Sequence, residues 1–189
     1  MADLTQPADL IEPGAALAAV RRAGRAAHER VDVAFSGFDL GNPASYAAFL
    51  DTHAAIVLPL ERMLAERVLP PWTPRAECLR GDLSALGRPV PPPLTIAASG
   101  AGAAYDGWCH GALYVLEGSR LGGRVLAGRV PDGLPHAYLS AAHGPGGWRA
   151  FLDALGARLD AGDTAFREGA VTGAVETFAL FERAAASRD

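Results

Sequence analysis

The chain has 189 residues, half of them apolar and a fifth charged, which is enough for one domain with a sizeable core and too little for two comfortable ones. Abundant Ala and Gly, with comparatively little Val, Ile and Tyr, favour closely packed helices over a β-sandwich. A net charge of −4 argues against general nucleic-acid binding. Cys78 and Cys109 stand in unrelated contexts, so no disulfide framework is indicated and a cytoplasmic location is expected. No stretch is apolar enough for a membrane span: Leu94 to Leu116, the least polar, is mostly Ala and Gly and is broken by Asp106 and His110.

In chain order, residues 1–13 read as a flexible leader, acidic where a signal peptide would be basic, and residues 14–187 as one all-α domain. Leu17, Val20, Gly24, Ala27, Val31 and Phe35 fall on one stripe of a first helix, from Gly14 to about Phe35. Asn42 followed by Pro43 is a capped start for a second helix reaching about Val68, with Pro59 expected to bend or interrupt it. A third helix is predicted from Thr73 to Leu86, and the run 88–93, RPVPPP, is a stiff extended linker. A long fourth helix should occupy roughly 97–129. Two more are expected, from Trp148 to Leu159 and from Thr164 to Ala186. This is the pattern of a helical bundle.

Two features go beyond a plain bundle. On the fourth helix Gly107, Gly111, Gly118 and Gly122 fall within about 60° of one another. Glycine costs about 1 kcal/mol against alanine inside a helix, so four on one face sacrifice about 4 kcal/mol of propensity. Either a neighbouring helix approaches closely there, or something flat lies against a backbone stripped of side chains. The second feature is His28, at the edge of the first helix's apolar stripe, with Arg21 and Arg25 leaning to the same side. Such an imidazole suits haem iron and the guanidiniums suit propionates. The alternative is a structural histidine beside solvated arginines. His53 reads equally as core or surface, His110 lies in the glycine helix, and His136 and His143 lie in loops. No zinc-peptidase, di-iron, dinucleotide, P-loop or nucleophile-elbow motif is present.

Together these segments resemble the haem oxygenase family. Residues 23–32 (AGRAAHERVD) look like its proximal-histidine segment, and residues 113–123 (LYVLEGSRLGG) look like its distal helix. The likeness covers about residues 14–185. It implies a helical-bundle fold clamping haem b, which is both substrate and cofactor, with His28 as the iron ligand. Gly118 and Gly122 would lie over the haem face, and Arg149, with Arg21 and Arg25, near the propionates. The implied reaction consumes dioxygen and seven electrons from an external donor (a ferredoxin, a flavoprotein or an ascorbate-like reductant) and yields biliverdin, carbon monoxide and ferrous iron.

Three positions depart from the family pattern. Ser119 replaces a distal aspartate, and Val115 and Leu113 replace an arginine and a tyrosine. The Glu-Gly-Ser version resembles a bacterial subgroup associated with bacteriophytochromes, which makes a bacteriophytochrome a candidate acceptor of product. It also leaves two rivals: a catalytically degenerate haem-binding or regulatory protein on the same fold, and a helical interaction module without a cofactor.

Overall fold

The computed structural model describes residues 14–187; the leader expected over 1–13 lies outside them. Among the described residues there are seven α-helices and no strand, as the all-α reading expects. They are α1 (Ala15–Phe35), α2 (Pro43–Leu64), α3 (Ala76–Ala85), α4 (Ala103–Ala127), α5 (Ala137–Ser140), α6 (Gly147–Ala161) and α7 (Thr164–Ala186).

The helix starts follow from local chemistry. Asn42 accepts hydrogen bonds from the Ala44 and Ser45 N–H groups at the start of α2, and Pro43 sits at the first position. Asp163 caps α7 through the Phe166 N–H at 2.8 Å. Two more starts are capped from a distance by buried carboxylates. Glu61 on α2 accepts the Arg75 and Ala76 N–H groups at 2.8–2.9 Å, which fixes the beginning of α3. Asp82 on α3 accepts the Ala137 and Tyr138 N–H groups at 3.0 and 2.8 Å and anchors α5. A carboxylate here satisfies orphaned donors and meets the positive end of the helix dipole.

Three expectations are corrected. The fourth helix begins at Ala103 instead of about 97, because Gly100 and Gly102 take φ values of 89° and 53°, outside the helical range. The third begins at Ala76 instead of Thr73, since Glu61 holds the chain just before it. Pro59 does not interrupt α2. A proline there deprives the Ala55 carbonyl of its partner four residues on. The Leu94 N–H takes that carbonyl at 2.8 Å, so the proline pins the extended linker against α2. The four-residue α5 and its tie to Asp82 have no counterpart in the sequence reading.

The helix pair that shapes the interior is α4 with α7. The two run in the same direction, with Gly169 against Ala104 and Gly173 against Trp108. A Cβ added at Gly107 would collide with the Phe166 carbonyl, and one at Gly111 with that of Ala170. Backbone therefore touches backbone along the first half of the pair. Further on, α7 carries Phe178 and Phe181 in place of Gly and Ala, and the space between the helices becomes a cavity lined by both phenylalanines.

Candidate functional site

The cavity measures about 350 Å³, within the range of small-molecule sites. His28, Val31 and Phe35 of α1 face it from one side, and Val115, Gly118, Ser119 and Gly122 of α4 from the other. Phe49 and His53 of α2, Tyr138 of α5, Trp148 of α6 and the two α7 phenylalanines complete an aromatic wall. The four glycines on one face of α4 thus divide by role. Gly107 and Gly111 serve contact with α7, while Gly118 and Gly122 border open space. An added Cβ would meet nothing within 4 Å at Gly122, and only the edge of Trp148 at 3.5 Å at Gly118.

His28 stands at the rim. Its side chain is 59 % exposed, its Nδ1 lies 3.0 Å from the Asp32 carboxylate, and its ring meets Phe178 edge-on at 5.5 Å. The i, i+4 spacing on α1 brings His28 and Asp32 together. A carboxylate on Nδ1 fixes the ring orientation and assigns that nitrogen the proton, leaving the Nε2 lone pair for a metal.

The opposite wall is polar where Ser119 sits. Ser119 donates to the Leu116 carbonyl at 2.7 Å and accepts from Arg75 Nη2 at 2.7 Å. The same Arg75 nitrogen donates to Leu116 O at 2.9 Å, and the guanidinium lies 4.7 Å from the centre of the Tyr138 ring. Arg75 lines the cavity although it is only 2 % exposed. Behind this wall, Arg120 pairs with Glu117 at 2.8 Å and donates to the carbonyls of Thr73 and Ala141. That pair fixes α4 to the loops carrying Arg75 and the start of α6. The motif EGSR (117–120) therefore splits by side: glycine to the cavity, serine to Arg75, and the charged pair to the loops.

His53 is the second imidazole of the cavity. Its Nδ1–H donates to the Phe49 carbonyl at 2.9 Å, and the rings of Phe35, Phe49, Tyr138 and Phe181 surround it. Burial, aided by the nearby Arg75 charge, pushes its pKa down to about 4, so the ring is neutral at pH 7. Burial likewise raises the carboxyl of Glu61 against the pull of its two N–H donors, and raises the phenol of Tyr138.

The structure brings together His28, Gly118, Ser119 and Gly122. It does not bring Arg21, Arg25 or Arg149 into the cavity lining. Arg21 and Arg25 are exposed on α1. Arg149 is 82 % exposed and faces Asp153 at 3.4 Å. Among the described residues, no three His, Cys, Asp or Glu side chains gather to hold a metal ion unaided. No helix among them is long and apolar enough to cross a membrane.

No family model matches the chain. A curated relative from Xanthomonas campestris pv. campestris (strain 8004), named heme oxygenase, is 35 % identical over 153 residues, covering 72 % of this chain and 86 % of the relative. The chain belongs to the haem oxygenase family. The all-α architecture of this haem oxygenase family member accords with that membership. Sequence reasoning missed Arg75, Tyr138 and the placement of His53. An arginine reads as solvated in sequence, and its burial here depends on α2, α4 and α5 converging on it. A partial signal was available in Pro74-Arg75 at a helix start, where Glu61 supplies an acid from another element.

Proposed function

We propose that the protein binds haem in this cavity and opens it oxidatively to biliverdin, carbon monoxide and ferrous iron, using dioxygen and an external reductant. The observation that carries the proposal is the facing pair: His28 tethered to Asp32 on one side, and the bare backbone of Gly118 and Gly122 on the other. The residues present fit a porphyrin. The walls are aromatic and aliphatic, one imidazole is available at the rim, and the space above two glycines is clear.

In this reading the haem supplies oxygen activation, and the chain supplies placement. His28 would hold the iron, with Asp32 orienting its ring. Gly118 and Gly122 would keep the space over the bound group clear, which larger side chains would fill. The rings of Phe35, Phe49 and Phe181, which line the cavity, would shield the bound group from water. Arg21 and Arg25, exposed on α1, would be available to pair with the charged propionates. Arg149, occupied by Asp153, is the weaker candidate for that role. The likeness of residues 113–123 to the phytochrome-associated subgroup supports a bacteriophytochrome as recipient of the product.

The test is purified protein with haemin, ascorbate and air. The haem Soret band should give way to biliverdin absorption, and His28→Ala should lose that conversion at least tenfold. Tight haem binding without conversion would favour the degenerate haem-binding protein, and no binding would leave a helical module.

A further inference from the structure

The described residues hold a buried cation that the family resemblance does not assign. Arg75 is 2 % exposed and lines the cavity beside Ser119. Its Nη2 makes both of its hydrogen bonds, to Leu116 O and Ser119 Oγ, and its buried Nε has no partner. Neither bond goes to a carboxylate, and the guanidinium forms no ion pair among the described residues. Isolated buried charge is expensive, so a cation held this way marks a place where negative charge is to be received.

The charged and titratable groups around it are already committed. From α2, Glu61 faces the backbone N–H groups of Arg75 and Ala76, and His53 is neutral. From α4, Arg120 is paired with Glu117. From α5, Tyr138 presents its ring to the guanidinium and keeps its phenol proton. Arg75 therefore lines the cavity as a cation whose guanidinium touches no carboxylate, although the Glu61 carboxyl feels its charge, and Ser119 aims it.

We propose that Arg75, positioned through Ser119, acts as the electrostatic partner of the oxygen ligand, in the place where the resemblance leads one to expect an acid. This inference rests on the haem-binding reading above. The guanidinium gives up no proton of its own at any working pH. It stabilises charge that builds on oxygen over Gly118 and Gly122, and it orders water against Ser119 as the immediate proton source. Because a cation favours the anionic form of a neighbouring acid, it also lowers the pKa of water bound to ferric iron.

Two measurements test this without relying on turnover. In the ferric haemin complex, absorbance against pH reads the ionisation of iron-bound water. Arg75→Gln should raise that midpoint by about one unit, while Arg75→Lys, which keeps the charge, should leave it within about 0.3 unit of wild type. In the ferrous carbon monoxide complex of the wild-type protein, infrared spectroscopy reads the C–O stretch. It should lie below that of an imidazole–haem–CO complex in an apolar solvent, because a cation over the ligand draws electron density onto it. This second measurement needs no variant and holds if Arg75→Gln does not fold. An unchanged midpoint in a folded, haemin-bound Arg75→Gln protein would overturn the proposal, as would a C–O stretch at the apolar-solvent value. Failure of the wild type to bind haemin would instead overturn the reading on which the proposal rests.

Discussion

Gly111 and Gly122 share a face of one helix and nevertheless do opposite things. A methyl group at Gly111 meets the Ala170 carbonyl, which belongs to the backbone and has no room to retreat, whereas one at Gly122 meets open space. Gly111→Ala should therefore cost about 3 kcal/mol by overpacking, and Gly122→Ala should add up to about 1 kcal/mol of helix propensity. Chemical denaturation of the two variants checks both signs. Gly122→Leu should fold like wild type yet take haemin at least tenfold more weakly, as followed by Soret titration, because its side chain would enter the cavity. The spacing of the glycines was legible in the sequence, and so was the place of His28 on the first helix. Which glycine faces a helix and which faces a void was not, since periodicity reports angle around α4 and says nothing of where α7 leaves it. Arg75 was hidden for a related reason: its role is made by Glu61 and Ser119, 14 and 44 residues away.

At the level of elements, α4 and α7 behave as a seam that opens. Small residues bring the backbones together at Gly107, Gly111, Gly169 and Gly173, and Phe178 and Phe181 line the space that follows. The sequence reading gave the span of α7 but did not distinguish core from cavity wall along it. Pro59 is a second case in which one element is completed by another, its freed Ala55 carbonyl being taken by Leu94. Pro59→Ala returns an internal donor to α2 and makes the Leu94 bond redundant. The expected outcome is faster amide exchange at Leu94, with a net stability change under about 1 kcal/mol, because a gain in the helix offsets a loosened linker. Unchanged exchange at Leu94 would show that the linker is held by other contacts. The start of α4 was misplaced in sequence because Ala-rich runs read as helix, while Gly100 and Gly102 adopt positive φ.

For the whole molecule, the aromatic interior around the cavity makes stability depend on pH. His53 has a folded-state pKa near 4 against an ordinary value of 6.5. A depressed histidine contributes stability that is complete above about 6.5 and is lost as the pH falls toward 4, since the unfolded chain then binds the extra proton. The slope approaches ~1.4 kcal/mol per unit. Glu61, raised in the fold, works the other way as the pH falls, so the comparison that isolates His53 is wild type against His53→Asn. Thermal melts between pH 7 and 5 should converge as acid is added if this account holds, and run parallel if it does not. The helical class and most helix spans were readable from capping residues and apolar stripes; the polar wall of the cavity was not, because it is assembled from separate elements. The central claim is that this cavity holds haem on His28. Its most direct test is the ferric haemin complex of His28→Ala, titrated with free imidazole. The histidine-ligated spectrum of wild type should be lost in the variant and restored by imidazole, whereas an identical spectrum in the variant without imidazole would contradict haem ligation by His28.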